Sequence, residues 1–208
     1  MTMKLYCFGE SGNAYKAALA LQFAGLDWAP VYVDFFNGEA RSPEFREINE
    51  MGEVPVLVDG DETITQSGAI LFHIAEKTGK LMDAPRSEIL RWILWDCQKG
   101  SGQQGPLRFL MNFLPEDKRP AEAIAFISGR TQAALKVLES HLTGRDWVAG
   151  DSLTIADLAC CGYLFYLEPF GFDRADFPAI DAWLTRISAQ PGWESPYDLM
   201  PGSPADRA

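Results

Sequence analysis

Residues 3–34 read MKLYCFGESGNAYKAALALQFAGLDWAPVYVD, and the order of signals within them decides the architecture of the first part of the chain. Residues 3–8 have strand character, residues 13–24 form a helical run around Ala17-Ala18-Leu19-Ala20-Leu21 that stops at Gly25, and residues 30–34 return to strand. A strand, a crossover helix and a second strand in one sheet make a right-handed parallel unit. Further on, Ser42-Pro43-Glu44 is a helix start: Ser accepts from an orphan N–H, Pro at the first helical position loses nothing, and Glu complements the dipole. Residues 54–58 and 62–65 flank Asp59-Gly60-Asp61, a hairpin turn, and residues 67–77 form a helix closed by Gly79. The expected order is βαβ, a short helix, then ββα.

Past a connector at residues 80–85 the strand signals vanish. Residues 86–113, 120–142, 154–167 and 178–189 read as helices, with Gly100, Gly102 and Gly105 predicting a bend or break in the first of them. Thr154-Ile155-Ala156-Asp157 is a capping box, and Leu153 and Leu158 stand where a hydrophobic staple would join; this is folding information, not chemistry. The fold class is α/β plus all-α, with a first domain over 1–79, a linker over 80–86 and a helical domain over 87–208.

Composition bounds the partners. The chain has 208 residues, 47% of them apolar, which is ample for a core, and 18 Lys+Arg against 29 Asp+Glu give a net charge of −11. A nucleic-acid binder needs clustered cations, and no basic run exceeds two residues. The longest nearly apolar stretch, residues 158–167, falls well short of the roughly 20 residues that cross a bilayer and reads as a buried helix. Met3 opens directly into a strand with no leader before it, so a cytoplasmic address is expected. Cys7, Cys97, Cys160 and Cys161 form no CxxC pattern, most of them reading as reduced core thiols, and two histidines without ligand spacing make a metal site unexpected.

Three ordered motifs carry a resemblance. Ser11 and Asn13 stand at the first strand-to-helix turn, Glu53-Val54-Pro55 precedes the third strand, and Gln66-Ser67-Gly68-Ala69-Ile70 opens the third helix. With the helical second half and the box at residues 152–157, the chain resembles the cytosolic glutathione transferases of the bacterial Ser/Asn type over residues 3–195. The resemblance implies a thioredoxin-like first domain, glutathione as co-substrate, a small electrophile as second substrate, and a homodimer. It implies a cis peptide at Val54-Pro55, with the Val54 main chain pairing with the cysteinyl part of glutathione. It also implies that Gln66 and Ser67, at a helix N-terminus, hold the γ-glutamyl carboxylate.

The activation chemistry stands on its own. A thiol of pKa about 8.5 is only slightly ionised at pH 7, and lowering it by two units takes about 2.7 kcal/mol. A hydroxyl donor to a charged sulfur supplies about 1.5–3 kcal/mol and a helix N-terminus about 0.3–1. The resemblance implies that Ser11, assisted by Asn13, is the catalytic pair. Both residues also suit a turn and a helix cap, and Tyr6 and Cys7 are competing contacts for the sulfur. Three positions depart from the family pattern: Glu53 replaces a Lys, Arg or Gln and would repel the glycyl carboxylate, Gln66 replaces an acid, and Glu50 replaces a proline. Arg41 and Arg46 are therefore the candidate carboxylate partners. Trp92, Trp95, Lys99, Gln103 and Arg108 are candidates for the second-substrate pocket, although an aromatic stripe at helical spacing is more often core. A glutathione-dependent disulfide or peroxide reductase and a non-enzymatic binding protein of the same fold are the alternative readings.

Overall fold

The computed structural model describes residues 2–202, which divide into two compact units: residues 2–82 together with 191–202, and residues 83–190. The first unit contains β1 (Met3–Cys7), α1 (Gly12–Ala24), β2 (Trp28–Tyr32), α2 (Pro43–Ile48), β3 (Val56–Asp59), β4 (Glu62–Thr65) and α3 (Ser67–Thr78). Its sheet has the order β2-β1-β3-β4, with β1 and β2 parallel and the other pairs antiparallel. The second strand begins two residues earlier than expected because Trp28 to Tyr32 pair in register with Met3 to Cys7. Pro30 is tolerated there since β2 is an edge strand, where a missing N–H interrupts no central ladder.

The N-terminus of α1 is capped by Ser11, whose Oγ accepts from the Ala14 N–H at 3.1 Å, and its C-terminus by Gly25 in the left-handed region. Ten of its thirteen residues are buried, so the helix is interior, which explains why its sequence shows small apolar residues all round rather than one stripe. It packs against α3 and β1. A second apolar cluster, Val33, Ala40, Phe45 and Val56, joins Tyr6, Phe35, Ile48 and Val54 and ties α2 to the sheet. Ser42 caps α2 by accepting from the Phe45 N–H at 3.1 Å.

The second unit is built of α4 (Arg86–Lys99), α5 (Ser101–Asn112), α6 (Ala121–Leu142), α7 (Ile155–Cys161) and α8 (Pro178–Ser188). The run read as one helix over 86–113 is two helices that part at Gly100, in agreement with the expected break. The buried Asp96 carboxylate accepts from the Ser101 N–H at 3.0 Å and hydroxyl at 2.9 Å, occupying donors that the break leaves free. A Cβ on Gly102 would stand 2.2 Å from the Cys97 carbonyl oxygen. Gly102→Ala is therefore expected to lose about 2–3 kcal/mol of stability, read as a lower denaturation midpoint with an unchanged m-value.

The expected helix over 154–167 ends at Cys161 and continues as turns through residue 165. Gly162 weakens the helix there, and Pro169 biases the residue before it toward extended backbone. Residues 158–167 are accordingly not one buried helix, and Leu167 is 95% exposed.

After α8 the chain returns to the first unit. The domain boundaries expected from the sequence placed residues 191–202 with the helices, whereas α9 (Pro196–Leu199) packs on α1. The Gly9 N–H donates to the Pro201 carbonyl at 2.6 Å, the Tyr15 hydroxyl to the Glu194 carbonyl at 2.7 Å. A Cβ on Gly9 would meet Tyr197, Gly202 and Pro201 at 3.0–3.2 Å, so the tail lies directly on the turn that leads to Ser11.

Candidate functional site

A cleft in the first unit is lined by Asn13, Asn49, Glu53, Val54, Pro55, Gln66 and Ser67. Three element ends meet there. Asn13 belongs to the first turn of α1, Val54 and Pro55 lie just before β3 and share a cis peptide bond, and Ser67 is the first residue of α3.

The N-terminus of α3 differs from those of α1 and α2 in having no side-chain cap. Its preceding residue, Gln66, has φ 67°, a conformation unusual for a residue with a side chain and worth about 1–3 kcal/mol of strain. The uncapped N–H groups and the Ser67 hydroxyl give the cleft an anion-receptive end. The Gln66 side chain turns instead to Glu53, its Nε2 donating to Oε2 at 3.3 Å, and to the Met51 sulfur at 3.1 Å. Asn49, a wall residue that sequence reasoning missed, donates from Nδ2 to the Glu53 carbonyl at 2.7 Å and accepts from the Met51 N–H at 3.2 Å. The sequence marks it only as a polar residue closing a short helix, and its burial is visible in the fold alone.

Ser11, Arg41 and Arg46 are not among the wall residues. Ser11 is buried at the N-cap of α1, where its oxygen accepts while its proton remains available to donate. Arg46 donates to the Glu50 carbonyl at 2.8 Å, and Arg41 is exposed in the short 3₁₀ turn Glu39–Arg41. Of the rival sulfur contacts, Cys7 is fully buried and desolvation pushes its thiol up to about 12, away from thiolate chemistry. Tyr6 packs edge-on to Phe45, with ring centroids 6.1 Å apart, in the α2 cluster.

Among the described residues, Asp59, Glu62 and His73 place one ligand atom each within 4.8 Å of one another. Lys77 already holds Asp59 at 2.6 Å, and this ammonium, with His73, keeps the Asp59 carboxyl below its ordinary value; the group is an ion-pair network at the end of the hairpin.

The second-substrate candidates separate by burial. Trp92 is core, its ring 4.4 Å from that of His141, and Arg108 is buried, paired with Glu168 at 2.8 Å and stacked 3.9 Å over Tyr166. Trp95, Lys99 and Gln103 instead line an open groove with Arg130, Ala133, Ala134 and Val137 of α6.

A mixed four-stranded sheet of this order, with a cis-proline before its third strand and an uncapped helix after its fourth, is a thioredoxin-like domain, and here an all-helical unit follows it. The family models "Glutathione S-transferase, N-terminal domain" and "Glutathione S-transferase, C-terminal domain" match residues 1–76 and 109–191. The chain is 31% identical to the disulfide-bond oxidoreductase YfcG of Escherichia coli over 88% of its length and 89% of that protein's. It is 32% identical to glutathione S-transferase F10 of Arabidopsis thaliana, covering 88% and 90% of the two chains. The crystal structure of a glutathione S-transferase from Xanthobacter autotrophicus superposes with a TM-score of 0.86 at 34% identity, covering 95% of this chain and 98% of that one. The chain belongs to the glutathione S-transferase family. No helix among the described residues is long and apolar enough to cross a membrane.

Proposed function

We propose that this protein is a glutathione transferase whose cleft binds glutathione and presents its thiolate to a small apolar electrophile. The observation that carries the reading is the convergence in one cleft of an uncapped helix N-terminus with Ser67, the main chain before a cis-proline, and the amide of Asn13. Three polar element ends around one cleft suit one elongated, anionic peptide. In this reading Ser67 and the α3 N-terminus take the γ-glutamyl carboxylate, Val54 pairs with the cysteinyl main chain, and Asn13 and Ser11 donate to the sulfur. Calorimetry with glutathione tests it: saturable binding at or below millimolar concentration is expected, and its absence removes the reading.

Glu53 acquires a role from its geometry. Its carboxylate is bonded to the Gln66 amide, beside the α3 N-terminus, which in this reading takes the ligand's γ-glutamyl carboxylate and the ammonium next to it. It supplies there the negative charge that Gln66 lacks, so the glycyl carboxylate is left to a cation outside the wall, with Arg41 the candidate. Exposed charge pairs are worth up to about 1 kcal/mol. Glu53→Gln is accordingly expected to weaken glutathione binding about 5-fold, and tighter binding would show that Glu53 repels the ligand instead.

The comparison with a disulfide-bond oxidoreductase favours testing a second activity of the same cleft. Neither position 11 nor position 13 is Cys, so an enzyme mixed disulfide cannot form there, and bound glutathione itself would attack a disulfide substrate. Comparing an aromatic halide with a disulfide at equal enzyme concentration ranks the two. A cytoplasmic homodimer completes the proposal. Leu90 and Leu94, one turn apart on α4, are 43% and 60% exposed, and pairing of two copies would cover such surface.

A further inference from the structure

Lys16 is 1% exposed, among the largest side chains fully enclosed in the protein. An ammonium removed from water costs several kcal/mol unless its donors are used, so its position needs a partner of acceptor character. One such partner is Asn13 Oδ1, which accepts from Lys16 Nζ at 3.0 Å. The two residues stand three apart at the start of α1, hence on one face of the helix.

The chemistry of this bond fixes more than a distance. An asparagine amide has one oxygen that accepts and one nitrogen that carries two donors, whereas an ammonium only donates. The oxygen must therefore face Lys16, and the flipped amide would set NH2 against NH3⁺. With the oxygen held, the Nδ2 donors are directed away from Lys16, on a residue that forms part of the cleft wall. A thiolate accepts and cannot donate, so this one orientation of Asn13 is productive and the other repels the sulfur.

We propose that Lys16 is a positioning residue, which locks the Asn13 amide so that its Nδ2 donors meet the sulfur of the thiol bound in the cleft. The proposal rests on the reading of that cleft as the glutathione site. It assigns a functional consequence to a buried cation that does not itself reach the ligand.

The test is Lys16→Met, which keeps the length and apolar stem of the side chain and removes the donor. Turnover, the KM for glutathione and the ultraviolet absorbance of the bound thiolate are measured in the natural background and in Asn13→Ala, with thermal melts to check folding. Lys16→Met is expected to lower kcat and thiolate absorbance about 10-fold with KM nearly unchanged. In the Asn13→Ala background it should add less than about 2-fold, because the group it positions is gone. Lys16→Arg, another donor-only head, should restore part of the loss. Undiminished turnover in Lys16→Met, or an equal loss in both backgrounds, overturns the proposal. Should Lys16→Met fail to fold, Asn13→Asp keeps the shape and the bond to Lys16 while removing the Nδ2 donors; thiolate absorbance should fall, and an unchanged value overturns the proposal. Absence of glutathione binding by the unaltered protein is a separate result, which overturns the reading of the cleft.

Discussion

Asp157→Ala is expected to lose about 4 kcal/mol or more of stability, enough to threaten folding of a protein whose total is about 5–15 kcal/mol. The carboxylate is fully buried at the start of α7. Its Oδ1 accepts from the Val148 N–H at 2.8 Å and the Trp183 indole N–H at 2.9 Å, and its Oδ2 from the Thr154 N–H at 2.9 Å and hydroxyl at 3.0 Å. One side chain thus joins the loop before α7, the cap of α7 and the core of α8. Truncation orphans at least three buried donors, each worth about 1–3 kcal/mol. A thermal melt should shift down by about 10 °C or more. A variant that melts within about 2 °C of the unaltered protein would show that the donors find other partners.

The same residue predicts a pH dependence. Burial raises its carboxyl from 3.8 to about 6 against the pull of its four hydrogen bonds. Between those values the folded protein holds a proton that the unfolded chain has released, so this contribution to stability falls as pH rises from about 4 to about 6 and is level above. The full span is about 3 kcal/mol. Asp157→Asn does not titrate there, and the stability difference between the two proteins should change across that window and nowhere above it.

The largest expected effect on turnover belongs to Ser11 and Asn13 replaced together. If both donate to the sulfur, Ser11→Ala with Asn13→Ala should cut turnover by about 100-fold or more and abolish the thiolate absorbance, each donor to a charged acceptor being worth about 1.5–3 kcal/mol. Ser11 complicates a single substitution because it also caps α1. Ser11→Ala loses the cap, at about 1 kcal/mol of stability, while Ser11→Gly loses only a few tenths. A catalytic hydroxyl makes both variants equally poor in turnover; a mere cap leaves Ser11→Gly active. Full turnover in Ser11→Gly would transfer the chemistry to Asn13 alone.

The order of elements was legible because each signal in it is local: Ser caps, Gly stops, the Asp-Gly turn, the capping box at Thr154. Where expectation and structure part, the cause is nonlocal at the second strand and local at the seventh helix. The second strand was shifted by its register against β1, and residues 162–167 of the helix expected over 154–167 were lost to Gly162 and Pro169. The cleft was largely legible too, since Asn13, Glu53, Val54, Pro55, Gln66 and Ser67 all stand on its wall. Asn49 was not, because its contribution is a hydrogen bond to the main chain of Glu53, and Lys16 was not, because a lysine inside a helical run reads as surface until its burial is seen. The placement of Glu53 against Gln66 likewise depends on two loops meeting, which no spacing encodes.

The bond from Gly9 to Pro201 has a consequence for the order in which the protein is made. Nearly two hundred residues separate donor and acceptor, and the whole helical unit is synthesised between them. The turn that carries Ser11 is synthesised before the helical unit, and the Pro201 carbonyl that holds it only after that unit. A nascent chain can build the sheet and α1 early but holds the Gly9 turn unclasped until the helical unit has been made, so a segment from beyond that unit closes the turn where the chemistry is proposed to occur.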